Sequence, residues 1–285
     1  MIKRRYGWIP DIPDMRDITY KAVAPRIMKL PDKVDLTQFC SIVEDQGSLG
    51  SCTANACAGN IELLQRKGID NIPEDPNPTR LTLWQWILRL FGLYKPLNIP
   101  RSGQYKDTSR LYIYYNARTL MGTADQDSGA YLRDCMKTLA KDGHCLESLW
   151  PYDIYKYTIK PTADCYDFGH KHVILSYMRL LSLNEMLTCL ADGYPFVLGI
   201  TLYESFESAD VRKTGIVNMP GNYERAIGGH AVLAVGYDQS TQRFLVRNSW
   251  GDTWGQKGYF TIPYEYVLKL GDDFWTIRKS NGHIA

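Results

Sequence analysis

Gly228-Gly-His-Ala-Val-Leu-Ala-Val-Gly-Tyr-Asp238 and, past a short polar turn, Arg243-Phe-Leu-Val-Arg-Asn-Ser-Trp-Gly251 hold two apolar runs of strand length, 231–237 and 243–247. Runs of β-branched, aliphatic and aromatic residues closed off by Gly, Asp and Asn form strands. A connection this short makes two such strands antiparallel neighbours. His230 opens the first run and Asn248 closes the second. Antiparallel pairing therefore brings an imidazole beside a carboxamide able to fix its orientation.

Two further stretches, Pro195-Phe-Val-Leu-Gly-Ile-Thr-Leu202 and Gly258-Tyr-Phe-Thr-Ile262, carry the same strand signature. The first half of the chain differs. From about Cys52 to Lys67, Ala54, Ala58, Ile61 and Leu64 recur at helical spacing, and Gly68 follows as a stop. A second helix is expected over about 128–141, with Leu132, Cys135, Met136 and Leu139 on one face. A third begins at Ser182-Leu-Asn-Glu185, a capping-box pattern, and ends near Gly193. Helices ahead of strands predict an α+β fold of two lobes instead of an alternating sheet. The helical lobe lies mainly in 36–150 and the β-rich lobe mainly in 151–285. Residues 71–108 stand apart as a proline-flanked insertion, whose apolar run 81–94 is expected to form a short helix packed on the helical lobe.

The stretch Asp45-Gln-Gly-Ser-Leu-Gly-Ser-Cys52 delivers a cysteine through a glycine-rich turn to the start of the first helix. Free N–H groups and the positive end of the helix dipole favour a thiolate there, and the thiolate is the nucleophile of covalent catalysis. Cys57, inside that helix, is expected to be a buried small hydrophobe. Cys165, His170 and His172 match no standard zinc spacing, so no metal site is expected. The seven cysteines are an odd number, and Cys135, Cys145, Cys165 and Cys189 leave room for one disulfide or none. With no secretory pattern after the basic opening MIKRR, a reducing, cytoplasmic setting is expected, non-classical export being the alternative.

QGSLGSC, GGHAVLAVGYD and NSWGDTWGQKGYF resemble, in order and context, the three catalytic blocks of the papain-like cysteine peptidases. The resemblance implies the two-lobed papain-like fold: a helical left lobe, an antiparallel β-barrel-like right lobe, and the active site in the cleft between them. It also implies roles. Cys52 is the nucleophile, His230 its acid and base, Asn248 the residue orienting His230, and Gln46 the oxyanion-hole donor. Trp250 would shield the His230–Asn248 bond. Ser128 and Gly129 would bind substrate backbone, and Gly228 and Ala231 would wall the main specificity pocket. His230 lies 178 residues after Cys52 (230 − 52), more than the family's usual ~130–150, and the 71–108 insertion accounts for the excess. Leu49 stands where the family signature has a disulfide cysteine, and Thr53 where it has an aromatic residue. Neither performs bond-breaking chemistry.

The function implied is a thiol endopeptidase acting on peptide or protein substrate without a cofactor. Two alternatives stand beside it: a transpeptidase or amidase using the same residues, and a catalytically silent binding protein. A formal charge of +2 gives no footprint for nucleic acid, and no stretch approaches the ~20 apolar residues of a membrane span. A monomer is expected. Residues 1–35, with Pro10, Pro13, Pro25 and Pro31 and no helical period, read as an extended arm. They bear no likeness to the long helical pro-segment of the family. Anchored by Trp8, Ile9 and Ile12, the arm can lie along the cleft and inhibit it from within, or strap the back of the body.

Overall fold

A computed structural model describes residues 4–22, 29–68 and 106–278. Most of the 71–108 insertion, including its 81–94 run, lies outside the described residues. In chain order the elements are β1 (Trp8–Ile9), β2 (Lys33–Asp35), α1 (Cys52–Arg66), α2 (Arg110–Met121), β3 (Ala130–Tyr131), α3 (Leu132–Lys141), α4 (Ala163–Gly169), β4 (Ser176–Arg179), α5 (Leu183–Ala191), β5 (Phe196–Tyr203), α6 (Ala209–Thr214), β6 (Ala226–Asp238), β7 (Arg243–Arg247), β8 (Tyr259–Pro263), α7 (Tyr264–Leu270) and β9 (Gly271–Arg278).

Helix α1 forms the axis of the molecule. Every residue from Cys52 to Leu64 is buried, which the small side chains Ala54, Ala56, Ala58 and Gly59 permit by letting neighbouring elements close in. It packs on α2 and α3 on one side and on β6 on the other. Strands run β4-β9-β5-β6-β7-β8 across one sheet, in which all pairs named here are antiparallel. β2 joins this sheet through Val34↔Tyr237, on the part of β6 beyond its pairing with β5. The helix-then-strand segregation is thus the α+β arrangement expected, with helices on one side of α1 and the sheet on the other.

The register of β6 with β7 places Leu233 opposite Arg247, so Asn248 emerges one residue past the pairing. β6 begins at Ala226, so His230 sits within the strand, opposite Ile200 of β5, not at its head. The expected 128–141 helix starts later, at Leu132, because Ala130 and Tyr131 pair with β1 of the arm. α5 follows its cap: Ser182 Oγ accepts the Glu185 N–H, and Glu185 accepts the Leu181 N–H at 2.8 Å.

Two buried elements escape hydrophobic periodicity. α2 carries Arg118 fully buried, its guanidinium donating to the carbonyls of Ala124 and Gln126 at 2.8 and 2.6 Å and lying 4.1 Å from the Tyr114 ring centre. β9 opens Gly-Asp-Asp, a turn signature, yet runs between β4 and β5. All seven cysteines are buried and free of disulfides.

Candidate active site

Four segments meet at the N-terminus of α1. The 44–46 and 248–251 loops are zipped together: Gln46 N–H donates to Ser249 O at 2.9 Å and Gly251 N–H to Glu44 O at 3.0 Å. Ser249 Oγ donates to Gln46 Oε1 at 2.6 Å. With its oxygen committed, the Gln46 amide turns its N–H groups inward. Nε2 donates to Leu49 O at 2.9 Å and to Arg5 O of the arm at 3.2 Å. Tyr152 supports the same turn by donating to Gln46 O at 2.9 Å and bonding Ser51 Oγ.

His230 Nε2 and Asn248 Oδ1 are 2.8 Å apart, and Asn248 Oδ1 also accepts the Ser249 N–H at 2.8 Å. Because Asn248 Oδ1 can only accept, Nε2 carries the ring proton in the neutral imidazole. Nδ1, which has no hydrogen-bond partner, is left as the basic nitrogen. The Trp250 ring lies 4.9 Å from the His230 ring and is itself buried, so it covers the His230–Asn248 bond from water. Phe206 and Trp254 complete the aromatic wall.

Cys52 is the first residue of α1 and is fully buried. Its Sγ accepts the N–H of Ala231, the residue after His230, at 3.4 Å. The sulfur and the imidazole are thereby brought to one place from opposite sides of the molecule. Backbone N–H groups of Thr53 and of Gly7 in the arm also point at Sγ. Burial is the larger influence and pushes the thiol up to about 11, while burial and the charge of Arg4 hold His230 down to about 4. Both shifts favour the uncharged form of their group while the arm is in place.

The arm fills the cleft. Arg4 pairs with Asp45 at 2.6 Å and lies 5.0 Å from the Trp250 ring centre. Arg5 pairs with Asp127 at 2.7 Å. Tyr6 packs on Gly228, where a Cβ would meet its ring at 2.6 Å, and its hydroxyl bonds Glu207. Gly7 O accepts the Ala130 N–H at 2.7 Å. Trp8 and Ile9 then run parallel to Ala130 and Tyr131. Trp8 is buried, whereas Ile12, expected to be an anchor, is 71% exposed.

The residues named for substrate backbone divide. Gly129 touches the arm, and with φ +76 and a would-be Cβ only 2.3 Å from Gly7 O it must be glycine. Its N–H is spent on Tyr114 Oη at 3.1 Å. Ser128 turns to Thr123 and to the Gly129 carbonyl, at 2.8 and 3.0 Å. Ala130 supplies the backbone donor instead. Gly199 and Asp273, which flank Trp8, carried no motif and were not anticipated. Asp273 is hidden in a turn-like run. His172 stacks on Phe168 at 3.8 Å, and among the described residues no cluster of three His, Cys, Asp or Glu could hold a metal.

Against known families, residues 123–270 match Peptidase_C1, the papain family cysteine protease. That span holds His230 and Asn248 but not Cys52. An uncharacterized peptidase C1-like protein of Acanthamoeba polyphaga mimivirus is 36% identical across 98% of this chain and 88% of its own length. This chain belongs to the papain family of cysteine proteases. Among solved structures, xylellain, a cysteine protease from Xylella fastidiosa, superposes with a TM-score of 0.75 at 36% identity, covering 99% of this chain and 100% of xylellain. Procathepsin B from Trypanosoma congolense shares the fold, with a TM-score of 0.67 at 16% identity over 97% of this chain and 87% of that one. As a member of the papain family the chain is a hydrolase, a thiol protease, with the two-lobed papain-like architecture.

Proposed function

We propose that the chain hydrolyses peptide bonds through a thioester on Cys52 and that residues 4–12 hold it in a covered, resting form. The convergence of Cys52, His230, Asn248 and Gln46 in one cluster carries the reading. Cys52 gives its proton to His230 Nδ1 as Sγ adds to the carbonyl carbon. The carbonyl oxygen gains the negative charge, and the Gln46 amide and the Cys52 N–H face it. Donors of this kind are each worth ~2.7–4 kcal/mol where measured in a serine peptidase. The C–N bond breaks as His230 returns its proton to the leaving amine. Water then gives a proton to His230 and its oxygen to the acyl carbon, and the C–S bond breaks as His230 returns that proton to the Cys52 sulfur.

The arm occupies the cleft without offering itself as substrate. It presents the Gly7 N–H, not a carbonyl carbon, to Cys52 Sγ. It places Arg5 O against the Gln46 amide, where an oxyanion would form. By the family resemblance, Gly129 takes the part of a substrate that precedes the scissile carbonyl. Here that place is taken by residues after Arg5, so the arm runs opposite to a substrate. Hydrolysis of a fluorogenic peptide by the full chain, with Cys52→Ala as control, tests the proposal. Thiol-dependent turnover surviving Cys52→Ala would sink it.

A further inference from the structure

Trp8 lies one residue along the arm from the amide that touches Cys52 Sγ, and its indole rests on bare backbone. A Cβ on Gly199 would fall 1.9 Å from the indole Cε2, and one on Gly229 would fall 2.8 Å from Cε3. At the far end of the slot, Asp273 Oδ2 accepts the Trp8 Nε1–H at 3.0 Å and the Asp11 N–H at 2.7 Å. Both donors belong to the arm. The other oxygen, Oδ1, is held by Arg179 at 2.9 Å. Asp273 is fully buried, and its φ of +57 puts it in the left-handed region inside a strand. A buried carboxyl on such backbone is costly twice over.

When the arm leaves, Oδ2 loses both donors while the slot keeps its width. A phenyl ring would fill the space and leave a buried acceptor bare, which is penalised more than an unmade bond in water. An indole fills the space and supplies the donor. Resting on the peptidase reading, we propose that the vacated Trp8 slot selects the substrate side chain. It takes a bulky group ending in an N–H, tryptophan ahead of phenylalanine, with Asp273 Oδ2 as the atom that discriminates. A site built to receive an N–H rejects the isostere lacking it far more strongly than an apolar pocket rejects a missing methylene.

The test uses the full chain carrying Gly7→Val, whose clash with the Gly50 carbonyl displaces the arm, together with Trp8→Ala, which empties the slot. Fluorogenic peptides identical except for Trp or Phe at each of the three residues before the cut are compared by kcat/KM. Peptidyl vinyl sulfones of the same pairs are compared by their rate of labelling Cys52. At one of these positions Trp is expected to be favoured at least ~10-fold, the scale of a hydrogen bond to a charged group. In Asp273→Asn the amide oxygen turns to Arg179, the amide N–H groups face the slot, and the Trp:Phe ratio falls to one or below. Gly199→Val narrows the slot and removes the Trp preference by a second route, leaving small side chains accepted. A Trp:Phe ratio near one at every position, or a ratio unchanged in both variants, overturns the proposal. No cleavage of any peptide would sink the peptidase reading instead, and the labelling ratios would still judge the slot.

Discussion

Replacing Gly7 by valine should strip the arm from the cleft, with a size that follows from the contacts. A Cβ on Gly7 would lie 1.7 Å from the Gly50 carbonyl oxygen and 2.4 Å from its carbon. Both are backbone atoms, and Gly50 is held by its N–H bond to Asp127 at 3.0 Å, just ahead of α1. The arm must therefore move instead of the wall. Its largest single anchor is the buried Trp8, and losing a buried aromatic costs about 3 kcal/mol at the low end. At about 1.4 kcal/mol per decade that is a factor of ~10² in the docked fraction. Alkylation of Cys52 by iodoacetamide at pH 7, followed on the Cys52 peptide because six other thiols are present, should run ~10²-fold faster in Gly7→Val than in the parent. The pH profile should change as well. In the covered form the thiol is held up to about 11, so its rate climbs through the whole alkaline range. In Gly7→Val, water and a chargeable His230 bring the plateau to lower pH. Equal alkylation rates in two proteins of identical circular dichroism would refute the placement of Gly7 and with it the inhibitory arm.

Other outcomes follow from the same geometry. Asn248→Ala frees His230 Nε2 from its 2.8 Å bond and should lower kcat/KM by ~10² with little change in KM, measured on the Gly7→Val background. Gln46→Ala should reduce kcat by ~10²–10³, a loss expected for one oxyanion donor. Arg247 is buried and donates to Ser41 O, Ser41 Oγ and Ile42 O at 2.9, 2.8 and 2.6 Å. Its Met variant leaves the buried Glu62 carboxyl without that charge and should cost about 3–5 kcal/mol in urea unfolding. Asp273 is pushed up to about 7 and Asp11 is also raised, chiefly by burial, with Arg133, Arg179 and Asp272 also facing the pair. Docking buries Asp11 beside Asp273, and carboxyls raised by that burial and mutual repulsion stabilise the docked form at low pH and cease to do so as pH rises through the raised value. Exchange of the Trp8 amide with solvent, corrected for its intrinsic rate, should therefore show opening that grows above about pH 7 and a flatter profile in Asp273→Asn.

The cleft was legible in the sequence where chemistry fixes both residue type and spacing. The Cys52 turn, the His230 strand and the Asn248 loop need particular side chains at strand and helix ends. They stand out in the sequence itself, whereas Gln46 is marked only by the family resemblance. Elements buried on all sides left a weaker trace. α2 hides Arg118, Tyr112 and Tyr114 where a helical stripe would be apolar, so its period is blurred. β9 begins with residues that signal a turn and carries Asp273 into the interior, which the Arg179, Trp8 and Asp11 contacts explain. Trp8 was visible as an apolar anchor. That its indole needs Gly199 and Gly229 beneath it was not, because close approach of one backbone to a distant ring has no local signature. Ser128 was named by analogy of position, and the αL turn at Gly129 directs it elsewhere.

In the proposed resting form, residues 4–12 and the site they cover are parts of one covalent chain, and β2, further along it, is stitched to β6. Closure is thus unimolecular, with an effective molarity of the order of mM for a short connection. Dilution cannot switch the enzyme on, and a free peptide copying residues 4–12 would have to be supplied near that concentration to compete. A single scission between Tyr20 and Lys33 changes the order of the reaction. The released fragment must then find the cleft from solution, and in a dilute compartment it does not return.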